Sequence, residues 1–191
     1  KTIFSDEKRF SLDGPDDWRS WVYESDTNYR IKRQCKGGSL MVWMMAMPNG
    51  LLSYRVIKEN LNADRYINLL EHHVVPIIKL NYGNEYYFQH DNSSIHQSKK
   101  VKEFILTNQK STIQWHTKSP DLNIVEDCWK MLSDMVYDGL QFEKKTDLIE
   151  KIKKAINEIN SLKRYKVFKL YESIRFRLCI VIGKAGNLCN R

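Results

Sequence analysis

The sequence predicts an α/β domain built on a mixed five-stranded sheet flanked by helices. Three observations point there. The chain opens with three strand-like segments separated by turn signals, with no helical period between them. A long stretch of helical period follows, and then two short strand-like segments alternate with helices.

Taken in order, residues 1–12 (KTIFSDEKRFSL) read as the first strand. Residues 13–38 carry no clear period and are broken by DGPDDW and KGG, so they are expected to form a functional insertion. SLMVWMMAM (39–47) reads as a buried strand, PNG (48–50) as a tight hairpin turn, and LLSYRVI (51–57) as the returning strand. These three strands form an antiparallel meander. Residues 62–80 place Tyr66, Ile67, Leu70, Val74, Ile77 and Ile78 on one helical face, with Pro76 predicting a kink or break. EYYFQH (85–90) is the fourth strand, 95–107 a helix with Val101, Phe104 and Ile105 inward, and STIQW (111–115) the fifth strand. A helix over 124–137 is capped by Asn123 or Asp121 and buries Trp129, Leu132 and Met135 or Val136. A further amphipathic helix spans about 145–160 through Leu148, Ile152, Ala155, Ile156 and Ile159, and helix continues to about Leu178. This order is that of a ribonuclease-H-like arrangement.

Composition narrows the class. Of 191 residues, 42% are hydrophobic and 28% charged, which suits a folded domain and excludes a disordered chain. The longest apolar run, Leu40 to Met47, is too short to span a bilayer, so no membrane role is expected. Cys35, Cys128, Cys179 and Cys189 form no CxxC pair, against a zinc ribbon or disulfide framework and in favour of a reducing compartment. The opening Lys1-Thr2-Ile3-Phe4 reads as the start of a strand, as in a domain cut from a longer protein. The net charge of +8 is uneven: residues 144–191 hold 13 Lys and Arg against 4 Asp and Glu, and the rest is nearly balanced. That tail either binds a polyanion or presents a solvated helix face.

Three carboxylates stand out. Asp6 interrupts an apolar strand, where Asp is disfavoured. Asp91 ends the fourth strand, and Glu126 lies one turn before Trp129, on the core-facing side of its helix. Singly, each has an ordinary role: an exposed edge residue, a helix cap, a first-turn acid favoured by the helix dipole. If strands one and four lie side by side and parallel, all three converge at one sheet edge. Such a cluster is unfavourable unless a cation relieves it, and hard cations prefer oxygen ligands.

Four segments, FSDEKRFSLDGPD (4–16), GGSLMVW (37–43), FQHDNSSIH (88–96) and SPDLNIVEDCW (119–129), resemble the catalytic domain of mariner-like cut-and-paste DNA transposases. The 34 residues between Asp91 and Glu126 match the glutamate-bearing branch, and SIRFRLCIVIGKAG (173–186) is similar to that family's C-terminal end. The resemblance covers nearly the whole chain. It implies a ribonuclease-H-like, retroviral-integrase-like fold and a metal-binding catalytic triad of Asp6, Asp91 and Glu126. Two ions of magnesium or manganese would be the cofactor. The reactions would be hydrolytic cleavage at transposon ends and strand transfer of the 3′ hydroxyl into target DNA, both ends and target being double-stranded.

The resemblance further implies a homodimer in the active complex and a place of action in the nucleus. Residues 13–38 fit the family's clamp loop, with Trp18 and Trp21 as contact aromatics, and His96 matches a histidine of the second motif, at the edge of the site and in reach of DNA. Asp127 is expected to be a solvated acid. The family's N-terminal DNA-binding region has no counterpart here, so DNA contacts are expected through phosphates, from Lys163, Arg164, Lys166, Lys169, Arg175 and Arg177. Two other readings stand beside the enzyme: a transposase-derived DNA-binding or assembly module without chemistry, and a ribonuclease-H-like nuclease acting on RNA–DNA hybrids.

Overall fold

Strand β1 (Thr2–Ser11) buries Ile3, Phe4 and Ser5 in succession, which only a strand covered on both faces does. The computed structural model of the protein, which describes residues 1–15, 38–108, 122–139 and 141–184, shows why. β1 is interior to a four-stranded sheet of order β3-β2-β1-β4, with β2 at Ser39–Ala46, β3 at Leu52–Ile57 and β4 at Tyr87–Gln89. β1 runs antiparallel to β2 from Phe4↔Ala46 to Ser11↔Ser39, β2 antiparallel to β3, and β1 parallel to β4. The expected meander and the parallel first and fourth strands are thus present. β4 is shorter than expected, and the fifth strand at 111–115 lies outside the described residues.

β2 alternates between two cores. Val42, Met44 and Ala46 join Phe4 and Phe10 beneath α4 (Ile124–Tyr137), α5 (Lys145–Leu162) and α6 (Arg164–Gly183). Trp43, Met45 and Met47 join Ile3 and Phe88 beneath α1 (Ala63–Leu69), α2 (Val75–Tyr82) and α3 (Lys99–Asn108). Period-two alternation with both faces apolar explains the unbroken run Leu40–Met47.

The hairpin between β2 and β3 turns on Gly50, whose φ of +82° suits glycine. A Cβ there would stand 2.7 Å from the Arg164 carbonyl oxygen. The amide of Asn160 then closes the outer edge of β3, accepting from Leu52 N–H at 2.8 Å and donating to Leu52 C=O at 2.9 Å. Tyr171 O–H donates to the Ala46 carbonyl at 2.6 Å and docks α6.

The helix over residues 63–82 does not break at Pro76. A π-helical turn, Leu70–Val74, widens it immediately before the proline, and Val75 N–H donates to Leu70 C=O. The wider turn accommodates the ring and the missing N–H without ending the helix. Buried residues on this face are Tyr66, Leu70, Val74 and Ile78. Asn123, not Asp121, caps α4: its side chain accepts from Val125 N–H at 3.3 Å, and Asp121 lies outside the described residues. No helix among the described residues is long and apolar enough to cross a membrane.

Candidate active site

The parallel pairing ends at Phe4↔Gln89. Carrying that register two residues further sets Asp91 level with Asp6, so the sheet itself aligns the two carboxylates where β4 stops and β1 continues. α4 crosses beneath β1 through Trp129, which packs edge-on against Phe10 at 5.9 Å and donates from Nε1 to Asp6 Oδ2 at 3.2 Å. Glu126 lies one turn earlier, in the first turn of α4.

Electrostatics register the convergence. Burial, then the nearby charge of Glu126, with smaller contributions from Glu7 and Asp91, push the Asp6 carboxyl from 3.8 up to about 7. Asp91 moves the other way, down to about 2, chiefly because His96 hydrogen-bonds its carboxylate. The distance from His96 Nδ1 to Asp91 Oδ1 is 2.6 Å, and Ser93 N–H donates to the same oxygen at 3.0 Å. Burial disfavours the charged form of His96, but its hydrogen bond to Asp91 and the carboxylate of Glu7 nearby outweigh this and raise it to about 9. His90 stacks on the His96 ring, accepts from Tyr66 O–H at 3.0 Å, and is held neutral by burial, its pKa lowered to about 3. Three carboxylates from β1, the end of β4 and α4 therefore share one sheet edge, with an all-oxygen donor set suited to a hard cation. Among the described residues no three His, Cys, Asp or Glu side chains stand close enough to hold an ion as they are.

Other expectations are corrected. His96 is 2% exposed and bonded to acids, so it does not face DNA. Asp127 is not a solvated acid: Arg177 pairs with it at 2.7 Å, and both side chains are largely buried. Arg177 is thereby committed within the fold, as is Arg164, which donates to Asn49 C=O at 2.6 Å, and Lys163, which pairs with Glu158 at 2.7 Å. Lys166, Lys169 and Arg175 are exposed on α6. Trp18 and Trp21, with most of the clamp-loop stretch, lie outside the described residues.

Two features escaped the sequence. Glu7 points to the sheet face opposite Asp6 and reaches His96, a contact across 89 residues that no local pattern announces. A cleft of about 540 Å³ opens on that side, with Arg9, Lys58 and Lys145 at its walls beside Glu7, Ser93 and His96. Its cations come from three distant segments.

A family model described as DDE superfamily endonuclease matches residues 1–149. The chain belongs to that family. Its relatives place it on the mariner/Tc1-like branch recognised from the motifs. It is 28% identical over 193 residues to the Tc3 transposase of Caenorhabditis elegans, covering 100% of this chain and 58% of that protein. It is 33% identical over 138 residues to the Tc1 transposase of the same organism, covering 69% and 50%. The chain thus spans about half the length of the curated relatives it matches. Among solved structures, the Mos1 transposase paired-end complex with left transposon end superposes with a TM-score of 0.76 at 19% identity, covering 99% of this chain and 56% of that one. Mos1 has also been solved with Mn and with Mg. The shared fold is ribonuclease-H-like.

Proposed function

We propose that this chain is the catalytic domain of a DNA transposase, with Asp6, Asp91 and Glu126 as its metal-binding triad. The observation that carries the proposal is the Asp6 carboxyl, level with Asp91 in the sheet register and pushed up to about 7 by burial first and by the charge of Glu126 second. Like charges held together at a sheet edge disfavour the metal-free state, and a divalent cation removes that cost. Trp129 holds Asp6 through Oδ2, and His96 with Ser93 holds Asp91 through Oδ1, so both aspartates are anchored beside the position an ion would take.

Two ions of magnesium or manganese would supply activation of the attacking oxygen and neutralisation of the leaving oxygen during in-line phosphoryl transfer. The protein's own part is placement. β1 and β4 set the two aspartates level, α4 carries Glu126 in its first turn, and Trp129, packed on Phe10, holds Asp6 by its indole N–H. Arg9, Lys58 and Lys145 in the adjoining cleft, with Lys166, Lys169 and Arg175 on α6, are the cations that would meet DNA phosphates. The substrates are double-stranded transposon ends and target DNA. The transposon end held in the Mos1 paired-end complex supports DNA as the partner, and a homodimer acting in the nucleus is part of the same proposal.

The test is manganese-dependent cleavage of a duplex carrying the element's end, by the 191-residue chain and by Asp91→Asn. Cleavage by the first and none by the folded second is expected. Equal activity in both would refute the triad assignment. No cleavage by either, with unchanged DNA affinity in the triple carboxylate variant, would favour a binding or assembly module.

A further inference from the structure

His96 is a buried imidazole with a carboxylate at each ring nitrogen. Nδ1 lies 2.6 Å from Asp91 Oδ1, and Nε2 lies 3.5 Å from Glu7 Oε1, a buried oxygen that makes no hydrogen bond among the described residues. Two rings pack against it, His90 stacked at 4.6 Å and 12° and Tyr66 tilted at 4.3 Å. Glu7 follows Asp6 on β1, and Asp91 lies beyond the last paired residue of β4. The ring therefore bridges β1 to the chain leaving β4, at the residues that carry the two aspartates.

This bridge answers a geometric need. Past Gln89 no ladder bond to β1 holds the backbone of Asp91. Its carboxylate is oriented instead by His96 and by Ser93, with the imidazole and the Ser93 N–H both on Oδ1. Burial rules out a DNA contact for His96, and a direct metal bond would cost it one of the two carboxylates.

We propose that His96, braced by Glu7, is a positioning residue for the metal site: its bond to Oδ1 sets the orientation in which the Asp91 carboxylate meets the cation. The inference rests on the metal-site reading above, and its test separates the two. Groups that orient a metal ligand from behind typically govern metal affinity by about 10–100-fold.

Manganese affinity is measured by electron paramagnetic resonance on the 191-residue chain, alongside the unfolding midpoint in EDTA, for wild type, His96→Asn, His96→Gln and His96→Phe. Asparagine places its amide nitrogen near Nδ1 and keeps the bond to Asp91. Glutamine places its nitrogen near Nε2 and loses it, and phenylalanine keeps only the stack. The phenylalanine and glutamine variants are expected to bind manganese at least about tenfold more weakly, and the asparagine variant to stay within about threefold of wild type. A purely structural role predicts losses that follow the unfolding midpoints instead, and that ordering would overturn the proposal. So would a phenylalanine variant that binds as wild type does. Should the phenylalanine variant fail to fold, Glu7→Gln removes the brace and leaves the ring in place. Weaker manganese binding is expected there, and unchanged binding would overturn the bracing role. A wild-type chain that binds no manganese would overturn the metal-site reading and this inference together, whereas wild-type binding with indifferent variants overturns this inference alone.

Discussion

Asp6→Asn should make the metal-free protein more stable, although it removes a residue assigned to the active site. The rise of its carboxyl from 3.8 to about 7 corresponds to about 4 kcal/mol against the ionised form at high pH. Burial is the largest cause, and a buried amide also loses hydration, so asparagine recovers only part of this. A gain of about 1–3 kcal/mol is expected, or roughly 2–10 °C in Tm for a chain of this size. The sign follows from proton counting. Unfolded, Asp6 releases its proton near 3.8; folded, it holds it to about 7. The folded state binds more protons within that window, so stability falls as pH rises through it. Thermal unfolding in EDTA should therefore show wild type and variant alike near about pH 4, with the full difference near about pH 8. Glu126→Gln should shift stability in the same direction, since its charge is the second cause of the rise. A variant no more stable than wild type at high pH, or equally stabilised at both, would refute the reasoning.

Manganese at a hundredfold excess over its Kd should raise wild-type stability by about 2.7 kcal/mol and leave Asp91→Asn unmoved, as calorimetry would show. Gly50→Ala combines a φ of +82° with a Cβ 2.7 Å from the Arg164 carbonyl, so denaturant unfolding should report a loss of about 1–3 kcal/mol. Leu132→Ala, at a fully buried position beneath β1 and β2, should cost about 2–5 kcal/mol by the same assay. Replacing Lys166, Lys169 and Arg175 with alanine should flatten the slope of log affinity for duplex DNA against log salt by about 3. The corresponding change at Lys163, Arg164 and Arg177 should lower stability instead, because those cations are committed within the fold.

Much of the fold was legible because its determinants are local. The PNG turn, the apolar run of β2 and the helical periods of α4 and α5 each name their own structure. Pro76 was legible as a perturbation but not in its outcome. Whether a proline ends a helix or is absorbed by a π turn depends on what holds the next turn in place, here the packing of Leu70, Val74 and Ile78 on the sheet. Asp6 and Asp91 could be read because a strand tolerates a carboxylate poorly and gives it away by type. Glu7, His96 and the cleft cations could not, since acids and bases are ordinary at exposed positions. Their significance lies in contacts between segments far apart in sequence. Charge counting failed at Arg177 and Asp127 for the same reason: composition records the charges of α4 and α6, not that they neutralise each other.

The arrangement also explains how a fold tolerates such a cluster. β1 is gripped from both faces, through its Phe10 against Trp129 of α4 on one side and through its Ile3 in the core of Phe88 and Tyr66 on the other. The acids sit where one neighbouring strand has run out, so the sheet ladder is not disturbed by separating or gathering them. The cost falls on the side chains, not on the backbone, and each acid can be moved by an ion without unfolding the strand that carries it. A site placed in the middle of the sheet would couple metal binding to strand register. At this edge it couples only to the orientation of Asp91, and that is what the imidazole of His96 holds.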